Sequence, residues 1–520
     1  MAAVSSILEV DVAVMGRHSA TPATDLILAV DQGTTSTRAI LFTADGTVRH
    51  IARRDLRQIY PRPGWVEHDP EEIWQAVVAT CREAIAAAEA MSAGPIAAIG
   101  ITNQRETTVL WDRADGRPVY NAIVWQDRRT APLCERWRAE GFSAPVARST
   151  GLVIDPYFSA SKIRWLLDEM PDVAKRARAG EIAFGTIDSF LLWRLSGGTR
   201  HQTDATNASR TMLYDLHRLA WDQTLLDEFG IPAAILPEVR DTGADYGSTL
   251  PALFGDAIPI AGIAGDQQAA LIGQACFRPG MVKSTYGTGA FALLHTGAEP
   301  AGSAHRLLTT IAYRLGGETA YALEGSIFVA GAAVQWLRDR LGVITTAEET
   351  QALAKRADPL QRVYFVPGFA GLGAPYWAPD ARGTITGLTG ACGIAELARA
   401  TLEAVGYQTR DLIAAMSADS GLVIDTLRVD GGMAASEWTM QFLADILPAR
   451  VERPASIETT AWGAAYVAGL QRGLCPPPGE MMARWTAERG FVPAMQDEER
   501  EARYAGWQKA VAATLIASER

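Results

Sequence analysis

The first legible element along the chain is an unbroken apolar run, Leu26-Ile27-Leu28-Ala29-Val30, which stops at Asp31. Short and free of polar alternation, it predicts a strand buried on both faces. A polar turn over 32–38 leads into a second run at 39–42, and Ala44-Asp45-Gly46 marks a hairpin before a third strand over 48–51. The three predict an antiparallel meander. Asp69-Pro70-Glu71-Glu72 then reads as a helix start: an N-cap carboxylate, Pro at the first helical position, and Glu72 placed to close a capping box. A further buried strand is expected over 96–102, and Asn103-Gln104-Arg105-Glu106 at its end predicts polar side chains facing a cleft.

Three strands, a helix and a strand open half of an α/β domain whose sheet mixes antiparallel and parallel pairs. The grammar of strand, Gly/Thr turn and strand returns at 280–294, in Val282-Lys283-Ser284-Thr285-Tyr286-Gly287-Thr288-Gly289-Ala290-Phe291. The recurrence predicts two related domains, 25–272 and 273–520, joined near Gly273 and preceded by a disordered or frayed extension, 1–24. Glu9 and Asp11 interrupt the apolar stretch of that extension, which excludes a signal peptide and suits an upstream start codon equally well. The longest apolar stretches, such as 325–334, stop well short of the about 18 to 20 residues that span a bilayer, so no membrane insertion is expected.

Composition narrows the picture further. The 520 residues, 48% hydrophobic and 21% charged, fit a multi-domain globular chain rather than a disordered or fibrous one. A net charge of −11 leaves no general positive excess for nucleic acid or anionic lipid, so any phosphate must be held locally. The five cysteines form no C-x-x-C pair, which suits reduced thiols and a cytoplasmic location.

Four segments carry candidate chemistry. The turns Gly33-Thr34-Thr35-Ser36 and Gly287-Thr288-Gly289 offer backbone N–H groups and hydroxyls to phosphate oxygens, although a plain tight hairpin uses the same residues. No G-x-x-x-x-G-K-[ST] is present, which excludes an ordinary P-loop. Asp31, at a strand end, suits Mg²⁺ held through water, or a turn cap. The strand leading to Gly265-Asp266-Gln267 ends in polar side chains that a core would leave without partners, and that favours a functional reading. Asp430-Gly431-Gly432, followed by a helix from Ser436, lets backbone approach a flat ligand or simply turns from strand to helix. Arg128-Arg129 reads as a solvated or salt-bridged pair, and the run 497–501 as the exposed start of the last helix.

Together, Asp31-Gln32-Gly33-Thr34-Thr35-Ser36, Asn103-Gln104-Arg105-Glu106-Thr107, Trp125-Gln126-Asp127-Arg128-Arg129, Gly262-Ile263-Ala264-Gly265-Asp266-Gln267-Gln268 and Asp430-Gly431-Gly432 resemble the FGGY carbohydrate-kinase family, and within it the branch that phosphorylates glycerol. Residues 157–166 and 383–403 resemble its two signatures. The resemblance implies two ribonuclease-H-like domains of the actin/Hsp70/hexokinase type flanking a central cleft that holds ATP, Mg²⁺ and glycerol. It implies glycerol contacts from Arg105, Glu106, Tyr157, Asp266 and Gln267, and an apolar wall of Trp125 and Phe291. ATP contacts fall to Thr34, Thr35, Ser36, Arg38, Thr288, Gly331, Gln335 and Gly432, with Ser436 standing where several members have Asn. Asp266 is the implied general base, and Asp31 with Asp266 the metal site. A homo-oligomer, dimer or tetramer, is expected. Of the rivals, a sister kinase acting on erythritol, xylulose or gluconate is disfavoured by Arg105-Glu106 with Asp266-Gln267, and an actin- or Hsp70-like ATPase lacks room for a client module. Some members bind fructose 1,6-bisphosphate through a Gly-rich loop with an Arg; the matching stretch here, 253–259, has one Gly, no cation and Asp256, which predicts insensitivity.

Overall fold

A computed structural model describes residues 25–92 and 94–518; the expected extension, 1–24, lies outside them. The meander forms as expected, with strands Leu26–Gln32, Ser36–Thr43 and Val48–Asp55. The first two run further than their apolar cores, so the turn between them is only Gly33-Thr34-Thr35. The helix Pro70–Ala90 is capped by the Asp69 carboxylate, which accepts from the Glu71 N–H at 2.9 Å. Glu72 closes no capping box: its carboxylate instead accepts the backbone N–H of Arg57, at 3.0 Å, and ties the helix to the edge of the meander.

Strands Ile96–Asn103 and Ile260–Gly265 join the first strand in parallel, and the five-stranded sheet takes the order fifth, fourth, first, second, third. The second half builds a seven-stranded sheet. Its centre repeats that connectivity: Val282–Tyr286 pairs antiparallel with Ala290–Gly297, which pairs antiparallel with Glu318–Ile327, while Thr426–Asp430 and Arg450–Pro454 add in parallel on the other side. Leu308–Leu315 and Ala487–Phe491 extend the two edges antiparallel.

Alternation along the first strand sorts the core. Leu26, Leu28 and Val30 point to the layer that contains Ile73, Val77 and Phe190. Ile27 and Ala29 point the other way, against Ala461, Ala465 and Val467 of the helix Thr459–Gln471. That helix belongs to the second half of the sequence yet covers the first sheet. Beside it the helix Asp266–Gly273 faces both sheets, sending Ile272 to the first and Leu271 to Leu293 and Ala322 of the second. The two helices cross on glycine: a Cβ at Gly463 would stand 1.8 Å from the Ala269 carbonyl oxygen, and one at Gly273 would stand 1.9 Å from that of Thr459. Asp430 binds the crossing from the second sheet, accepting from Gln274 Nε2 at 2.9 Å and Thr459 Oγ1 at 2.6 Å.

Candidate active site

Parallel register decides where the polar strand ends gather. Gln32 and Gly265 both pair with Asn103, so the first, fourth and fifth strands finish at one edge of the sheet. Asp31, Arg105-Glu106 and Asp266 are thereby delivered together. Asn103 and Gln104 differ from expectation: both are buried and do not face the cleft. Asn103 bonds Asn207 and the Gln104 carbonyl, and Gln104 Nε2 donates to Gln32 Oε1 at 3.0 Å, buttressing the turn behind it.

Arg105 is the hub. Its Nε lies 3.2 Å from an Asp266 oxygen, Nη2 donates to Tyr157 Oη at 3.3 Å, and both terminal nitrogens donate to Glu324, which comes from the second sheet. Arg210 donates to Glu106 at 2.8 Å and to Glu324 at 2.9 Å. Arg105, Arg210, Glu106 and Glu324 are essentially without solvent contact. Burial by itself drives the Glu324 carboxyl upward, but Arg105 and Arg210 overcome it and hold the group at about 2. Asp266 has the opposite balance. Its recessed position raises the carboxyl and Arg105 only partly opposes this, leaving it at about 6, while 32% of the side chain stays open toward the cleft. A carboxylate of that basicity, reachable by a ligand, is suited to taking a hydroxyl proton near neutral pH.

The apolar wall expected of Trp125 and Phe291 is assembled across the two halves. The Trp125 ring stands 5.5 Å from Tyr157 and 6.3 Å from Phe291, edge-on to both. Its indole N–H donates to Thr34 Oγ1 at 2.9 Å, so the wall is tied to the first Gly/Thr turn. Asp31, Gly33, Thr35, Ser36, Arg38, Asp266 and Gln267 border one cavity of about 300 Å³. Arg38 is clasped between Asp31 and Glu458, its Nε 3.1 Å from Asp31.

In the second half, Gly331 donates to the Gly287 carbonyl at 3.0 Å, and Ala330 and Ala332 donate to that of Thr288, seating the helix Gly331–Asp339 on the second Gly/Thr turn. Thr288 and Gln335 are exposed. Gly431 needs its φ of +86° to pass Tyr286, whose carbonyl oxygen a Cβ would approach to 2.4 Å, whereas the space beside Gly432 is open. Ser436 caps the helix Glu437–Ile446, with Oγ accepting from Thr439 Oγ1 at 2.9 Å and from its N–H at 3.3 Å. These groups ring the ends of Val282–Tyr286 and Thr426–Asp430, separate from the lining of the first cavity.

Arg128 and Arg129 are salt-bridged, to Asp155 and to Glu67 with Asp127 respectively, and the last helix starts at Asp497. Sequence reasoning missed Arg210, Glu324 and Lys283. Lys283 Nζ, buried to about 8 against the pull of Asp430 and Asp266, donates to Gln267 Oε1 at 2.5 Å. Each is a lone charge in an otherwise apolar or hydroxyl-bearing stretch, and that was the available signal. Among the described residues no group of three or more His, Cys, Asp or Glu is placed to hold a metal, and no helix is long and apolar enough to cross a membrane.

Models of the FGGY family of carbohydrate kinases match the chain, the N-terminal domain over residues 26–273 and the C-terminal domain over 282–472. A glycerol kinase of Methylobacterium nodulans is 61% identical over 498 residues, covering 95% of this chain and 98% of that protein. The crystal structure of Plasmodium falciparum glycerol kinase with ADP superposes with a TM-score of 0.90 at 36% identity, covering 95% of this chain and 98% of that one. A gluconate kinase from Lactobacillus acidophilus reaches a TM-score of 0.84 at 23% identity over 95% and 98% of the two chains, a likeness of fold alone.

Proposed function

Because the chain belongs to the FGGY family of carbohydrate kinases, we propose that it transfers the γ-phosphoryl group of ATP to the terminal hydroxyl of glycerol, giving sn-glycerol 3-phosphate and ADP. The observation that carries this reading is Asp266, a carboxylate of raised basicity that is open to the cleft yet anchored by Arg105. As the hydroxyl oxygen forms its bond to phosphorus and the bond to ADP breaks, Asp266 takes the hydroxyl proton. Glu106 accepts a hydroxyl proton as a hydrogen bond, Gln267 and Arg105 are the donors on the polyol side, and Tyr157, Trp125 and Phe291 cover the C–H face.

Thr34, Thr35, Ser36, Thr288, Gly331 and Gln335 serve the phosphates, and Gly432 with Ser436 the adenosine end. Ser436 brings a hydroxyl already committed to its helix cap. Asp31 and Asp266 border one cavity with hydroxyls beside them, a donor set that fits Mg²⁺, which binds through one or two carboxylates and completes its shell with phosphate oxygens and water. The ion would neutralise developing charge on the phosphates. Arg38, paired with Asp31 and Glu458, supplies a guanidinium at the same edge. The free thiols suit a reducing compartment, so the proposal includes a cytoplasmic, homo-oligomeric enzyme.

The test is ADP release with glycerol, erythritol, xylulose and gluconate, each against a blank without acceptor. Glycerol is expected to give the highest kcat/KM; a higher value for any other acceptor, or turnover equal to the blank, overturns the reading.

A further inference from the structure

We infer that Lys283 is a positioning residue for the acceptor: by donating to Gln267 Oε1 it fixes the side-chain amide so that Nε2 faces the cleft as a hydrogen-bond donor. The inference rests on the kinase reading above and deepens it. Lys283 lies on the strand Val282–Tyr286 of the second half, fully buried, while Gln267 opens the helix after Asp266 in the first half. An ammonium carries three donors and no acceptor, so only the oxygen end of the amide can meet it. Nζ reaches that oxygen at 2.5 Å and gives a second bond to Thr285 Oγ1 at 3.1 Å; it has no carboxylate within ion-pair distance among the described residues. A lysine buried on an amide rather than a carboxylate leaves its desolvation largely uncompensated by stability. The arrangement is explained if its product is a fixed amide orientation.

The nitrogen end is free to act. Gln267 borders the cavity with Asp31 and Asp266, and its Nε2 has no hydrogen-bond partner among the described residues. A hydroxyl that accepts from Nε2 must send its own proton elsewhere, and Asp266, the preceding residue, is the open acceptor. A donor on one side and an acceptor on the other then set the rotation of the acceptor hydroxyl. An amide turned over would present oxygen, and the hydroxyl proton would be drawn toward Gln267 instead of the base. Since Lys283 and Gln267 come from different halves, this donor is defined only when both halves are in place.

The experiment is a double-mutant cycle of Lys283→Met and Gln267→Met, with Lys283→Arg as the conservative variant, read as kcat and KM for glycerol and KM for ATP. Lys283→Met is expected to lower kcat/KM for glycerol about tenfold or more, the scale of one misdirected hydrogen bond, with KM for ATP within about twofold. Lys283→Arg, which keeps donors in reach, should recover most of the loss. In the Gln267→Met background Lys283→Met should add little, since its effect passes through the missing amide. Additive losses in the cycle, or a Lys283→Met enzyme within twofold of the parent, overturn the inference. If Lys283→Met fails to fold by its melting profile, Lys283→Ala, which also removes the donors, takes its place in the cycle under the same criterion. If the parent phosphorylates a different acceptor, the kinase reading fails in its choice of glycerol, and the cycle run on that acceptor decides the role of Lys283 separately.

Discussion

Glu324 is the residue whose replacement most directly probes how the two halves share one site. It receives hydrogen bonds from both terminal nitrogens of Arg105 and from Arg210, and none of the three side chains has more than 2% of its surface exposed. Glu324→Gln keeps the shape and removes the charge, so packing is unchanged and two guanidinium groups lose a shared counter-ion. Removing one member of a buried ion pair costs about 3–5 kcal/mol. The direction of its titration agrees: Arg105 and Arg210 hold the carboxyl below its ordinary range despite burial, so its charge stabilises the folded protein at neutral pH. The folded state lowers this group's affinity for protons, so the stabilisation is complete above pH 4.5 and disappears as the pH falls toward 2. Urea unfolding followed by the fluorescence of the 14 tryptophans should show Glu324→Gln weakened by about 3 kcal/mol at pH 7, with a shallower acid dependence than the parent. Arg105 also orients Asp266, so KM for glycerol should rise in the same variant. A loss below about 1 kcal/mol, the scale of an exposed pair, together with an unchanged KM would refute the reasoning.

Asp266→Asn should lower turnover in a coupled ADP-release assay by ~10² or more while weakening glycerol binding less, and in the parent enzyme kcat/KM should halve near pH 6 and fall with further acidification, because the base must be ionised; retention of most kcat by the Asn variant would remove Asp266 from that role. Propane-1,2-diol should be strongly disfavoured relative to glycerol, since it leaves one buried polar group unpaired, and comparable kcat/KM values for glycerol and a five-carbon ketose would argue against a site built for a triol. Trp125→Phe should raise KM for glycerol and ATP together if the first Gly/Thr turn holds the phosphates as proposed, as the lost indole N–H frees Thr34 in that turn; an effect on glycerol alone would separate wall from turn. Millimolar fructose 1,6-bisphosphate should leave initial rates unchanged: the stretch 253–259 offers Asp256 and no cation, and Arg82, which reaches the Leu253 carbonyl at 3.0 Å, is a single guanidinium against about four negative charges. Inhibition altered by Asp256 replacements would reverse that conclusion.

The first sheet was legible because its strands are apolar runs with clear punctuation, and the two-half organisation because the Gly/Thr turn recurs between strands. Asp31, Arg105, Glu106 and Asp266 were legible because polar residues cluster where an apolar run ends. The supporting charges were not. Lys283 and Glu324 sit inside strands, and their partners are 16 and 219 residues away, Gln267 and Arg105. Such pairings depend on how the second sheet meets the first, which local patterning does not specify. Glu72 shows the converse: its spacing fits a capping box, but the Arg57 N–H left at the meander's edge was a competing donor.

The crossing of Thr459–Gln471 over the first sheet has a consequence for how the chain is made. A ribosome that has released only the first half presents a sheet with Leu26, Leu28 and Val30 covered and Ile27, Ala29 and Ile40 still waiting for Ala461, Ala465 and Val467. The first half can therefore close the core on one face of its sheet during synthesis but not on the other. That face stays open until Thr459–Gln471 has emerged, and Gly463 then packs against backbone with no side chain to obstruct it. Burial of that face is thus timed by the carboxy-terminal half, and a fragment cut at the point where the family models divide the chain would expose an apolar sheet face to its neighbours.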